Sequence, residues 1–455
     1  MKKNIIKKTV EAPAEFLEKT IEETEKVSRH FKSSKAAKNT EKYWDTLGPG
    51  LTTGAADDDP SGIATYSQAG AQYGFRLLWL SFLTYPLAAT IQEMCARISL
   101  VTGRGLAANI RSHFSRKILY FLTLLLFAAN SFNIGADLGM MAETLKLVNS
   151  GWNYIFLIII ITVLLLAFQI FIPYKKYAKY LKWLALILFA YVASALLANI
   201  NWAEVLKSSI TPTIQFNKDQ LLLICAIFGT TISPYLFFWQ SSQEIEDEIS
   251  NGQTTLAARQ VTDNGKIKRM RTDVWSGMFF SNLVMFFIIA TCGAILFPNG
   301  ITNITTAAQA AEALRPFAGN WAYGLFAAGI IGIGMLSIPV LAGSSSYAIS
   351  ESFKWHEGLG KKLKSAYAFY GVIIISMLVG LCINFIGLNP IKVLIYSAVA
   401  NGIVAPIVLV PILLISSSKK IMGEWANKPL AKLVGWAVVV IMSASGIAAI
   451  LSVFA

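Results

Sequence analysis

Apolar residues in this chain come in long blocks, not in the alternation of half-buried strands or the one-sided stripes of soluble helices. Against the ~20 residues needed to cross a bilayer, they mark eleven spans, near 48–71, 76–100, 118–145, 152–172, 181–200, 220–242, 274–297, 321–349, 365–386, 390–415 and 432–454. Polar, charged stretches separate them, and the pattern predicts an all-α polytopic membrane protein.

Two spans do not read as continuous helices. The first contains Asp57-Asp58-Asp59-Pro60-Ser61-Gly62, three carboxylates followed by a residue without an amide proton and one without a side chain. A charge at bilayer depth costs at least ~2.5–3.5 kcal/mol, so such a cluster calls for a cation, a water-filled cavity, or both. Pro60 and Gly62 break the helix and free carbonyl oxygens, which with carboxylates are hard ligands suited to magnesium, calcium or manganese. The sixth span carries Gly229-Thr230-Thr231-Ile232-Ser233-Pro234-Tyr235, and its backbone is expected to open near Ser233, a continuous kinked helix being the plainer reading. Two breaks five spans apart are the signature of a five-plus-five inverted repeat that binds substrate where the breaks meet. The repeats run over about 47–200 and 218–416, with an extra helix at about 432–454 after them and a polar tail at 1–46 before them. Within that tail, 11–28 could form a surface helix, with a solvated tail the favoured reading.

Composition agrees: 55% hydrophobic and 14% charged residues exclude a soluble multidomain chain. The formal charge of +13 raises nucleic acid as a partner, but its placement argues against it. With the N-terminus inside, all but Arg76, Lys146, Lys207, Lys218, Arg315 and Lys392 of the 39 Lys and Arg fall on the cytoplasmic side. This asymmetry orients the N-terminus to the cytoplasm and the C-terminus outside. Cys95, Cys225, Cys292 and Cys382 fall in predicted spans at unpaired spacings and read as packing residues. The histidines, His30, His113 and His356, all fall on cytoplasmic segments, so no imidazole serves an intramembrane metal site or proton relay.

Other polar groups carry competing readings. Glu93 and Arg97, four apart, are expected to form a structural ion pair. Asn130, Asn133 and Asp137 make a polar stripe on the third span, with Asp137 the ionisable group in its middle. The acidic run Glu244 to Glu248 reads first as a solvated face and second as a cation-attracting vestibule. Ser344, Ser345 and Ser346 read first as packing residues, and Asn401 as a polar group facing a cavity. Asn303-Ile304-Thr305 fits a glycosylation acceptor, meaningful only in a eukaryotic secretory pathway.

Gly48-Pro49-Gly50, Asp59-Pro60, Gln68-Ala69-Gly70-Ala71-Gln72-Tyr73-Gly74, Val101-Thr102-Gly103-Arg104-Gly105-Leu106 and Met422-Gly423 together resemble the Nramp divalent-metal transporters. The likeness is most specific over the first two spans and traceable to the last. It implies a LeuT-like fold, alternating access and a metal site between broken helices 1 and 6.

Under that resemblance Asp59 is the metal-binding aspartate, but the family's Asp-Pro-Gly-Asn motif reads Asp-Pro-Ser-Gly, so Gly62 replaces the amide ligand. The Met-Pro-His motif reads Ser233-Pro234-Tyr235, which removes the thioether, and Thr230 falls where a backbone carbonyl coordinates. The second histidine of helix 6 becomes Gln240, Asp137 matches the aspartate of the proton route, and the glutamate after it is Met140. A soft sulfur favours manganese or iron, so an oxygen-only, enlarged site suits an ion that keeps part of its water, as magnesium does. Asp57 and Asp58 add negative charge, and the pattern resembles the Nramp-related magnesium transporters. Loss of the titratable groups favours uptake driven by membrane potential, from which a dication gains about 4.6 kcal/mol per 100 mV.

The leading expectation is a transporter carrying magnesium, and manganese with it, into the cytoplasm. Asp59 is the principal ligand, with Asp57, Asp58, Gly62, Thr230, Ser233, Tyr235 and Asn401 around the ion, and Asp137 and Gln240 as remnants of a proton route. Its partners are the ion and the lipid bilayer, its transport unit a monomer in a bacterial inner membrane, and it needs no cofactor. Two rivals stay open: a proton-coupled manganese or iron transporter with an oxygen-only site, and an organic-solute symporter on the same fold. A receptor without transport would have little reason to keep two broken helices, and no nucleophile with a base or phosphate loop points to an enzyme.

Overall fold

Proline placement sets the helix boundaries around both breaks. In the computed structural model, which describes residue 43 and residues 47–172, 186–198 and 200–454, the first span divides into α1 (Pro49–Asp57) and α2 (Pro60–Tyr73). Asp59, constrained by the proline after it, is extended (φ −63°, ψ 171°) and caps α2, while Pro60 takes the first helical position. The sixth span divides likewise into α9 (Lys218–Thr231) and α10 (Pro234–Ser250), with Ser233 extended before its proline. The sixth span is therefore interrupted rather than merely kinked. The tail at 1–46, except Tyr43, its expected helix at 11–28 with His30, and the start of the fifth span at 181–185 lie outside the described residues.

The remaining principal helices are α3 (Trp79–Thr102), α4 (Leu106–His113), α5 (Arg116–Val148), α6 (Tyr154–Phe171), α7 (Phe189–Leu197) and α8 (Trp202–Ile210). After the second break come α11 (Asn264–Ile295), α12 (Ala322–Phe353), α13 (Tyr367–Ile383), α14 (Pro390–Ser417) and α15 (Pro429–Phe454). Among the described residues there are helices and no strand. Eight segments there are long and apolar enough to cross a membrane, matching the expected third, fourth and sixth to eleventh spans. The first, which like the sixth is two half-helices, differs from it in carrying three consecutive carboxylates.

Both broken spans are held by helices that approach to backbone contact. α11 packs on α1, α2 and α3. A Cβ on Gly54 would overlap the carbonyl of Gly277, and one on Gly50 would lie 2.6 Å from the Val274 nitrogen, so glycine is required for this approach. The Asp273 carboxylate on α11 caps the start of α1, accepting from the amides of Gly50 (2.6 Å) and Leu51 (3.0 Å). On the other side α9 packs on α14, and a Cβ on Gly402 would lie 2.5 Å from the carbonyl oxygen of Cys225.

The motif residues near the two ends prove structural. Gly103 ends α3 at φ 64°, and Gly105 lies where any Cβ would overlap the Glu351 carboxylate, which accepts from the Ala108 amide of α4 at 2.8 Å. At the other end Gln68 of α2 donates to the carbonyl of Thr302 (3.1 Å) and accepts from the Ile304 amide (2.9 Å), fastening the 302–305 loop over the bundle. Glu93 and Arg97 pair at 3.8 Å, but the closer partners of Glu93 are Arg271 (2.8 Å) and the Trp275 indole (3.1 Å) on α11.

Two readings change, and the packing reading of the serine run stands. The acidic run is not a solvated face: Glu244 is buried and accepts from Gln240 at 2.8 Å, and the equally buried Glu248 pairs with Lys266 at 2.9 Å. Cys382 is exposed, unlike the other three cysteines, because it sits on an outward face of α13. The serine run serves packing, as Asn130 donates to the Ser344 (2.8 Å) and Ser345 (2.9 Å) hydroxyls and to the Leu341 carbonyl (3.0 Å).

Candidate functional site

The two interruptions meet. A Cβ on Gly62, in the first turn of α2, would lie 3.1 Å from Thr230 Oγ1 at the end of α9. The Tyr235 hydroxyl of α10 donates to the Ala56 carbonyl at the end of α1 (3.0 Å), and the Tyr66 and Thr231 hydroxyls bond at 3.1 Å. Each break thus places a helix C-terminus, the negative end of its dipole, beside the other break, an arrangement that draws a cation.

Asp59 sits at the centre. Its Oδ1 accepts from the Ser61 hydroxyl (2.6 Å) and the Gly62 amide (2.8 Å), and its Oδ2 accepts from Asn133 Nδ2 on α5 (2.8 Å). Asn133 Oδ1 in turn accepts from the Ser397 hydroxyl on α14 at 2.8 Å. Asp57, the last residue of α1, and Asp58, within the break, turn to α11: Ser281 donates to Asp57 Oδ2 and lies 3.4 Å from Asp58 Oδ1. Asp57, Asp58 and Asp59 are 0%, 3% and 1% exposed. Among the described residues none of them has a Lys or Arg partner.

The other expected site residues separate into near and far. Ser233 donates to the Gly229 (2.5 Å) and Thr230 (2.8 Å) carbonyls, re-satisfying the frayed end of α9 while keeping its lone pairs. Thr230 Oγ1 and both amide atoms of Asn401 are buried without a hydrogen-bond partner, which leaves them available to a ligand or its water. Asp137 faces α12, accepting from Ser337 at 3.3 Å with its second oxygen unpartnered, and Gln240 lies further along α10 against Glu244. Among the described residues no three His, Cys, Asp or Glu side chains converge on a metal position. An ion here would be bound by one carboxylate with hydroxyl, amide and carbonyl oxygens. The sequence did not mark Ser281 or Asn133 as contacts of the aspartates, nor Ser397 as the partner of Asn133; only the polar stripe on α5 hinted at Asn133.

Two solved structures share this architecture. The structure is similar to a manganese transporter from Eremococcus coleocola, crystallised with an aromatic bis-isothiourea substituted compound, with TM-score 0.69, 18% identity, and 88% of this chain and 84% of that one covered. It is also similar to Mhp1, a nucleobase-cation-symport-1 family transporter in a closed conformation, with TM-score 0.55, 15% identity and coverage of 89% and 91%. The fold is that of the LeuT-type membrane transporters. In sequence, residues 50–452 match the family model described as natural resistance-associated macrophage protein-like. A divalent metal cation transporter, MntH, from Klebsiella pneumoniae is 27% identical over 401 residues, covering 87% of this chain and 91% of that protein. The chain belongs to the Nramp family, whose members are multi-pass membrane transporters and not enzymes.

Proposed function

We propose that this chain carries a divalent metal cation into the cytoplasm by alternating access, with Asp59 as the principal anionic ligand. One observation carries the reading: three consecutive carboxylates are buried where two broken helices meet, with no basic partner among the described residues. Buried carboxylates stay ionised on that scale only with a cation nearby, and are otherwise protonated. The names of the relatives, a divalent metal cation transporter and a manganese transporter, support the ion class.

Magnesium is the preferred ion in this reading, with manganese also accepted. Ser233 replaces the thioether that would favour softer metals, and a single carboxylate among hydroxyls, amides and carbonyls suits an ion that retains water. Asp57 and Asp58 act through charge, since both turn toward Ser281. Uptake is uncoupled from protons and driven by membrane potential. The transport unit is a monomer in a bacterial plasma membrane, oriented by its basic loops with the N-terminus inside.

One observation favours a second reading, proton-coupled manganese uptake: Asp137 keeps a buried, unpartnered carboxylate oxygen beside α12. Proteoliposomes with trapped magnesium, manganese and pH reporters separate the two. Magnesium entry without internal acidification supports the first; manganese entry with acidification, lost in Asp137→Asn, supports the second.

A further inference from the structure

The Asp59 carboxylate has few lone pairs left. Ser61 and Gly62 occupy Oδ1, and Asn133 occupies one position on Oδ2. Each carboxylate oxygen offers about two acceptor positions, so a single free position remains, on Oδ2. The first two donors belong to α2 and travel with Asp59. Asn133 belongs to α5, is itself fully buried, and is fixed from the far side by Ser397 on α14.

Resting on the reading of Asp59 as the ion ligand, we propose that Asn133 is a specificity-determining positioning residue, which limits Asp59 to single-oxygen coordination and so disfavours calcium. Calcium takes six to eight oxygens and readily accepts a bidentate carboxylate, whereas magnesium holds near-octahedral geometry with one or two carboxylate oxygens and several waters. A carboxylate with one free lone pair satisfies the second ion and under-coordinates the first. Gly62 offers no side chain, so the amide acting on this carboxylate comes from α5 instead of from the half-helix that carries it. Ser397 matters because its hydroxyl, whose proton is shared between the Leu394 carbonyl (2.7 Å) and Asn133 Oδ1 (2.8 Å), faces the oxygen side of the amide and leaves the nitrogen side pointing at Asp59.

The test is calcium inhibition of magnesium uptake in proteoliposomes, with calcium and magnesium titrations of the purified protein, for the native chain, Asn133→Ala, Ser397→Ala and Asp59→Ala. Removing a charge-assisted hydrogen bond supports an expected shift of about tenfold toward calcium in Asn133→Ala. Ser397→Ala, which only loosens the amide, is expected to shift the same ratio by roughly threefold. Should Asn133→Ala not survive purification, the Ser397→Ala ratio decides alone. An unchanged calcium-to-magnesium ratio, or equal weakening of both ions, overturns the inference while Asp59→Ala still abolishes uptake. Persistent uptake in Asp59→Ala overturns the parent reading instead.

Discussion

Tyr235 donates its phenolic proton to the carbonyl oxygen of Ala56 at 3.0 Å, joining the start of one half-helix to the end of the other. The bond occupies a carbonyl at the break, and under the proposed alternating access it is remade whenever α1 and α10 separate. Tyr235→Phe keeps the ring and frees that carbonyl. A net hydrogen bond is worth about 1 kcal/mol, so the KM for magnesium is expected to change by roughly fivefold with expression intact. An unchanged KM would place Tyr235 outside the transport cycle.

Under the proposed function, Ser233 stands where a thioether would select softer metals. Ser233→Met is expected to move the manganese-to-magnesium uptake ratio toward manganese by roughly tenfold. The measurement is paired uptake at matched concentrations; a ratio that stays put would separate ion choice from this position. Gly62→Asn is not an equivalent change, because its Cβ would press on Thr230 Oγ1 at 3.1 Å and Tyr66 Cε2 at 3.3 Å.

The seat of α1 on α11 depends on Gly54 and on Asp273. Gly54→Ala places a methyl against the Gly277 carbonyl, and overpacking of this kind costs about 1–3 kcal/mol. Asp273→Ala removes the acceptor of two helix-start amides, at a cost of similar size. Both variants are expected to lower the melting temperature of the purified protein. Native melting in both would show that α1 is anchored elsewhere.

How far the sequence reaches is plain from these residues. Hydropathy located the long spans, and the Asp-Pro and Ser-Pro steps located both breaks, because proline acts on its own neighbours. What Asp57, Asp58 and Asp59 touch was not legible, since Ser281 lies over two hundred positions away and helix rotation decides which side chain faces them. The expected solvated face at 244–248 failed for the same reason: composition marks charge, and only packing shows that α10 carries its acids inward. Asn133 was visible as part of a stripe, but its contact with Asp59 needed the third dimension.

Beyond α12, Glu357 is pushed up to about 9 by burial, with the neighbouring Glu351 adding to it. Its folded pKa lies above the ordinary 4.5, so folding disfavours its charge and stability falls as pH rises from 4.5 toward 9. Glu357→Gln is therefore expected to melt higher than the native chain in alkaline buffer and equally below pH 4.5. A difference independent of pH would contradict that origin.

Under the proposed function Asp59 binds a dication in transit. Magnesium influx into proteoliposomes under an inside-negative potential, native chain against Asp59→Ala, tests it most directly. The expected result is influx by the native protein and none above protein-free vesicles in the variant, with both eluting identically on gel filtration. Native-level magnesium influx through a correctly folded Asp59→Ala protein would contradict it.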